Sequence, residues 1–63
     1  MSDFKSRLID EHSQLVERMN KLQAFIWSDP FNKLNDDHKS LLIKQKAFME
    51  SYESTLAARI YLV

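Results

Sequence analysis

Apolar side chains recur at steps of three and four residues through the first 27 positions, which is the spacing of one face of an α-helix. Polar and charged residues fill most of the positions between them. The stripe consists of Phe4, Leu8, Ile9, Leu15, Val16, Met19, Leu22, Phe25 and Ile26, with His12 among them. The pattern predicts a first helix over about residues 2–27.

A second stripe with the same period begins after Asn35. Asn35 is a favourable N-cap, and Asp36 and Asp37 follow in the first turn, where acidic side chains interact well with the helix dipole. The apolar positions are Leu41, Leu42, Phe48, Met49, Tyr52, Leu56, Ile60 and Val63. The pattern predicts a second helix over about residues 36–62.

The joint between the helices, residues 28–35, contains the chain's only proline. Pro30 disfavours helical backbone at Asp29 and has no backbone N–H, so the first helix should end just before this point. Ser28 is placed to cap a short turn that begins at the proline. No segment has the period of a β-strand, and the chain has no glycine for hairpin turns. We predict an all-α fold with a single domain, residues 1–63, in which two helices form an antiparallel hairpin around the joint.

Self-association is the next prediction, because a 63-residue chain without cysteine has neither a large core nor disulfides to stabilise it. Each helix carries two neighbouring apolar rows at seven-residue spacing, which suits a helix with two packing neighbours, as in a four-helix bundle. We predict a homo-oligomer, with a dimer of hairpins favoured. The predicted oligomer interface consists of Leu8, Ile9, Leu15, Val16, Leu42, Phe48, Met49 and Leu56.

A polar row lies beside the apolar rows of the second helix, where Gln45, Tyr52 and Arg59 recur at seven-residue intervals. Polar residues at core spacing can fix register and oligomer state at some cost in stability. A joint centred near residue 31 or 32 would place His12 of the first helix opposite Tyr52. We therefore predict a polar core row made of His12, Gln45, Tyr52 and Arg59.

Two interpretations of this polar row stay open. In the structural one, His12 forms a hydrogen bond with Tyr52 or a backbone carbonyl, and Arg59 pairs with Asp3 or with a neighbouring chain. In the functional one, His12 senses pH or contacts a ligand, and Arg59 holds an anion or a nucleotide. The residues three and four positions from His12 are all apolar, so a metal site is not predicted there.

The joint itself is unusually apolar, reading FIWSDPFNKL over residues 25–34. Most of its large side chains continue the two stripes and should close one end of the bundle. Trp27 lies just off the stripe, so Trp27 and Phe31 form a possible partner surface. The chain ends in Tyr61, Leu62 and Val63, for which the pattern predicts no role.

The composition of the chain argues against several classes of function. Nine Lys and Arg balance nine Asp and Glu, so the basic surplus that non-specific nucleic-acid binding requires is missing. No segment reaches the roughly 20 apolar residues that span a bilayer, and the absence of glycine excludes a P-loop or dinucleotide fingerprint. Neither histidine has a well-placed local carboxylate. We predict no enzymatic activity, no catalytic residues, no cofactor, no metal and no membrane segment.

Two spaced motifs carry a resemblance to a known family. They are the joint motif Phe25-x5-Phe31-x2-Leu34 and the second-helix motif Gln45-x3-Met49-x2-Tyr52. With them, about residues 4–61 resemble the short helical proteins of tailed phages, in particular small early proteins of the exo-xis region of lambdoid phages. The resemblance implies an early phage protein in the cytoplasm of the bacterial host, associated with slowing the host cell cycle and with the balance between lysis and lysogeny. It supplies no catalytic residues.

Three functions follow as hypotheses. The leading one is a non-enzymatic regulatory protein that binds a host or phage protein and so alters host physiology or the lysis/lysogeny decision. The alternative is an oligomeric sponge that sequesters a nucleotide signal of host defence, with Tyr52, Arg59 and His12 as ligand contacts. DNA binding through a helix-turn-helix is the third, and the long matched helices and zero net charge argue against it.

Overall fold

The computed structural model describes residues 3–63, and it contains two long helices and one short one. Helix α1 spans Asp3–Ile26, helix α2 spans Asp29–Asn32 and helix α3 spans Asp36–Leu62. The described residues contain no β-strand. The two long helices pack side by side in a rod of 48 × 15 × 12 Å. The predicted all-helical hairpin is confirmed; association of hairpins into a bundle stays a prediction.

The helix ends follow from local chemistry. The Asn35 side chain accepts a hydrogen bond from the backbone N–H of His38 at 2.8 Å, so Asn35 caps α3. Arg59 lies in the last turn of α3, where a cation interacts favourably with the helix dipole. Helix α1 ends one residue earlier than the sequence indicated, at Ile26. Its predicted start at residue 2 lies outside the described residues.

The joint folds into the single turn α2, with Pro30 in its first turn as expected for a residue with fixed φ. Ser28 takes the extended backbone conformation of an N-cap, at φ −94° and ψ 161°, but its side chain does not cap α2. The Ser28 hydroxyl instead donates to the backbone carbonyl of Phe25, at the end of α1. The expected side-chain cap is therefore wrong, because the hydroxyl points back to the preceding helix, where the Phe25 carbonyl also accepts the Ser28 backbone N–H.

The core is a narrow seam between α1 and α3. Leu8, Leu15 and Leu56 form its buried centre, and the partly buried apolar residues packed against them are Met19, Met49 and Ile60. The buried and half-buried positions of α3 are Lys39, Leu42, Lys46, Met49, Glu53, Leu56 and Ile60. Their steps alternate between three and four residues, which is the heptad spacing of one coiled-coil seam.

The register of this seam differs from the predicted one. The polar positions of α3 that face α1 are Lys39, Lys46 and Glu53. They lie one residue farther along the chain than the polar row that the sequence pattern predicted. His12 therefore meets Glu53, and the predicted pairing of His12 with Tyr52 is wrong. The numbers of the paired residues sum to 65, about two more than the prediction required, so α3 is shifted by about two residues along α1.

Candidate functional site

A second heptad row runs along α3 on a face that α1 does not cover. Its positions also alternate in steps of four and three, and all of them are exposed in the single chain. We call this row the α3 outer face; it consists of Leu41, Gln45, Phe48, Tyr52, Thr55, Arg59 and Leu62. Phe48 is 64% exposed and Tyr52 45% exposed. The row thus exposes two aromatic rings and two leucines together with the polar side chains of Gln45, Thr55 and Arg59.

The first half of the outer face borders an open depression of about 440 Å³, which we call the α3 groove. Its size lies within the range of about 300–1,000 Å³ that is usual for small-molecule sites. The groove is lined by Leu41, Lys44, Gln45, Phe48, Met49 and Tyr52. All six residues belong to α3, so the groove has one helical wall and is open on the opposite side.

The groove combines three kinds of binding group. Phe48 and Tyr52 present aromatic rings, on which a flat ring system can stack. The Lys44 ammonium lies 5.9 Å from the centroid of the Phe48 ring, so a positive charge stands beside the stacking surface. The Gln45 amide can donate and accept hydrogen bonds. An aromatic anion is the ligand class that uses all three.

The structure places three of the four predicted polar-row residues on the outer face. Gln45, Tyr52 and Arg59 are exposed in the single chain, so they do not lie in the core between α1 and α3. Arg59 lies seven residues beyond Tyr52, about 10 Å farther along the helix axis, and it is not a groove residue. The predicted Arg59–Asp3 ion pair is not formed among residues 3–63.

His12 is separated from the other three polar-row residues. Its Nε2 lies 2.7 Å from Oε2 of Glu53, and both side chains are half-buried in the seam. The residue is therefore engaged in joining the two helices, and it does not line the α3 groove. This geometry favours the structural interpretation of His12 over a ligand contact.

The residues of the predicted oligomer interface fall into three groups by their burial within one chain. Leu8, Leu15 and Leu56 are buried within the hairpin, where they form the intrachain core, and the oligomer interface stays a prediction. Val16, Leu42 and Met49 are half-buried, while Ile9 and Phe48 are exposed. One apolar row of each helix packs against the other helix of the same chain. The neighbouring rows stay free for a second partner.

The two residues of the predicted partner surface have opposite environments. Trp27 is 83% exposed, whereas Phe31 is 8% exposed. Phe31 packs edge-on against Phe25, with ring centroids 6.2 Å apart and an interplanar angle of 90°, and Lys39 Nζ lies 5.9 Å from its ring centroid. Phe31 therefore closes the end of the hairpin and is not an accessible surface residue; Trp27 alone is available to a partner.

Sequence reasoning missed Lys44 and Glu53. Glu53 could have been found by counting heptads, because it shares a seven-residue row with Lys39 and Lys46. Lys44 lies one turn before Phe48, a spacing that brings the two side chains together on a helix.

Residues 3–63 contain no group of three or more side chains that could hold a metal ion, and no helix among them is long and apolar enough to cross a membrane.

Comparisons with known proteins give one match. None of the curated proteins and none of the solved structures matches the chain. The resemblance to exo-xis proteins stays a prediction. The sequence model of one family, named Sequestin, matches residues 2–62, which is nearly the whole chain, and the protein therefore belongs to the Sequestin family.

Proposed function

We propose that this protein sequesters a nucleotide signal by binding it in the α3 groove without changing it chemically. The observation that carries the proposal is the combination of Phe48, Tyr52 and Lys44 in one exposed groove of small-molecule size. The name of the Sequestin family supports a sequestering, binding role. Among the hypotheses from the sequence, this geometry favours the nucleotide sponge over the protein-binding regulator.

Each groove residue has a distinct part in such binding. The base would stack on Phe48 or Tyr52, an interaction worth roughly 1–3 kcal/mol per base. Lys44 would pair with a phosphate oxygen as a compact point charge. The amide of Gln45 would read donor and acceptor groups at the edge of the base.

A binding role without catalysis agrees with the chemistry of the groove. Its six lining residues include no carboxylate, histidine, serine or threonine, the groups that supply most nucleophiles and general bases. Each copy of such a protein removes a fixed number of ligand molecules, so the protein must be made in amounts comparable to those of its ligand. We place it in the cytoplasm of an infected bacterium, on the strength of the phage resemblance.

We also propose that the functional unit is a homodimer of hairpins. Residues 3–63 bury only four apolar side chains within one chain: Leu8, Leu15, Phe31 and Leu56. A chain of this size needs more burial than that to be stable. Sedimentation should give twice the 7.5 kDa mass of the chain. Phe48→Asp on the outer face should yield monomers, and Ile43→Asp, on another exposed part of α3, is the control.

Calorimetric titration tests the sequestering function. Cyclic nucleotides with one or two bases are the probes, with the corresponding nucleosides and inorganic phosphate as controls. We expect Tyr52→Ala to weaken binding about five- to hundredfold, the equivalent of one stacking contact. Tyr61→Ala is the matched control, because Tyr61 is exposed and lies outside the groove. Absence of binding to every nucleotide at roughly 100-micromolar concentrations, or equal losses in the two variants, would contradict the proposal.

A second candidate function is regulation through a protein partner, favoured by one observation. Trp27 is a large aromatic side chain that stands free of the hairpin beside the joint, and such residues are common at the centres of protein interfaces. The partner would be a host or phage regulator. Affinity capture should then return the same protein repeatedly, and Trp27→Ala should abolish the capture while leaving nucleotide binding unchanged.

A further inference from the structure

We propose that Arg18 of α1 is a further ligand-binding residue of the α3 groove, and that its guanidinium binds a phosphate of the nucleotide from the side opposite Lys44. This inference rests on the proposed function. It adds a residue of α1 to a site whose lining residues all belong to α3. Both helices belong to one chain, so the contact forms within a single hairpin.

The first step places Arg18 on the same side of the hairpin as the groove. Met19 on α1 and Glu53 on α3 hold equivalent positions in the seam, because in both helices the next seam residue follows three positions later. Arg18 and Tyr52 directly precede them, so each is displaced by about 100° around its helix in the same rotational sense. In two right-handed helices that run antiparallel, residues displaced in this sense lie on the same side. Arg18 therefore shares a side of the hairpin with Tyr52.

The second step places Arg18 level with the middle of the groove. The numbers of residues that face each other across the seam sum to 65, so Arg18 lies beside about residue 47 of α3. The groove-lining residues extend from Leu41 to Tyr52. The axes of packed helices are about 8–10 Å apart, a distance that two long side chains, one from each helix, can bridge. The guanidinium of Arg18 can therefore reach a ligand that lies in the groove.

The third step is that the Arg18 side chain is available. Arg18 is exposed, and it forms no ion pair within residues 3–63. The residues three and four positions from it are Gln14, Leu15, Lys21 and Leu22. None of them is acidic, so no neighbour one turn away holds the guanidinium. Arg18 does not itself line the groove, but an exposed side chain changes rotamer within nanoseconds and can turn toward a ligand.

The fourth step concerns the charges around the aromatic rings. Lys44 lies on the part of α3 that faces away from α1, whereas Arg18 approaches from α1. A nucleotide stacked on Phe48 or Tyr52 would therefore have a cation on each side. The lining residues of the groove provide one cation and no acidic group. A guanidinium can hold a phosphate through two parallel hydrogen bonds, which a lysine ammonium does not offer.

Titration calorimetry with cyclic nucleotides and the corresponding nucleosides tests this contact. We expect Arg18→Ala to weaken nucleotide binding about tenfold or more, the usual effect of removing a charge-assisted hydrogen bond. Nucleoside binding should not change, because a nucleoside has no phosphate. Arg18→Lys should recover part of the nucleotide affinity, since it keeps the charge and loses the two-bond geometry.

Arg7→Ala is the matched control. Arg7 is an exposed arginine of the same helix, but it lies level with about residue 58 of α3, beyond the end of the groove at Tyr52. Circular dichroism verifies that both variants are folded. A loss of nucleotide affinity in Arg18→Ala that exceeds the loss in Arg7→Ala supports the contact.

Three results would overturn the Arg18 contact and leave nucleotide sequestration standing. They are an unchanged nucleotide affinity in Arg18→Ala, equal losses in the two arginine variants, and an equal loss of nucleoside and nucleotide affinity in Arg18→Ala. Tyr52→Ala tests the groove separately, because stacking is lost for nucleosides and nucleotides alike. A wild-type protein that binds no nucleotide overturns both proposals.

Discussion

His12 on α1 and Glu53 on α3 are joined across the hairpin, with Nε2 of the imidazole 2.7 Å from a carboxylate oxygen. Glu53 lies one turn from Leu56, the side chain at the centre of the core. The contact is therefore embedded in an apolar seam, where a polar pair of matched position helps to select one register. Sliding α3 along α1 by one turn would leave both polar groups facing apolar residues of the seam.

Loss of this pair should lower stability modestly. Both side chains are half-buried, so solvent weakens the interaction, and we expect Glu53→Ala to reduce the free energy of unfolding by about 1 kcal/mol. Urea denaturation followed by circular dichroism measures the change. Glu50→Ala is the matched control on the same helix, because Glu50 is exposed and its surface pair with Lys46 is worth only about 0.3–0.5 kcal/mol. Equal effects of the two substitutions would show that the His12–Glu53 pair contributes nothing specific.

Leu56 should be the most sensitive apolar position of the chain. It is 0% exposed, and replacing a fully buried leucine by alanine usually costs about 2–5 kcal/mol. In a core this small, we expect Leu56→Ala to lose most of its helical signal at about 37 °C. Ile43→Ala is the matched control, because Ile43 is exposed and lies outside the α3 outer face. Retention of a cooperative urea transition near the wild-type midpoint by Leu56→Ala would contradict the described core.

The N-cap of α3 should contribute measurably to stability. Asn35→Ala removes the acceptor for the His38 backbone N–H, a change that typically costs about 1 kcal/mol. Asn20→Ala, at an exposed position inside α1, should instead be neutral or slightly stabilising, since alanine has the higher helix propensity. Urea midpoints of the two variants give the comparison. A smaller loss for Asn35→Ala than for Asn20→Ala would argue against the cap.

The two aromatic residues of the joint should respond in opposite ways to truncation. Phe31→Ala removes a buried ring and its edge-on contact with Phe25, and we expect a loss of about 3 kcal/mol or more. Trp27→Ala should change stability by less than about 0.5 kcal/mol, as is usual for exposed positions. Thermal melts measure both effects. The fluorescence of Trp27, the only tryptophan, should peak near that of a water-exposed indole unless a partner covers it.

Much of the fold could be predicted from local patterns. The period of the apolar residues identified both long helices, Asn35 identified the start of α3, and Pro30 identified the interruption. These features act within one or two turns of the chain, so the sequence carries them directly. The sequence also indicated two apolar rows on each helix, although it did not show which row each helix shares with the other.

The site was less predictable, because it depends on which apolar row of each helix packs against the other helix. Tyr52 and Gln45 were singled out, but they were assigned to a core row together with His12. The structure places them on a neighbouring face of α3, about 100° around the helix from the intrachain seam, and adds Lys44 to them. A small shift in the pairing of α1 with α3 is enough to exchange a buried row for an exposed one.

The sequence by itself determined the helical class, the lengths of the helices, the capped start of α3 and the position of the joint, because backbone hydrogen bonds and side-chain periodicity are local. Only the tertiary structure decided the register. It paired His12 with Glu53, buried Phe31 while leaving Trp27 exposed, and left Phe48 and Tyr52 uncovered. The physical reason is that two similar apolar rows compete for one partner helix, and the geometry of the joint selects between them.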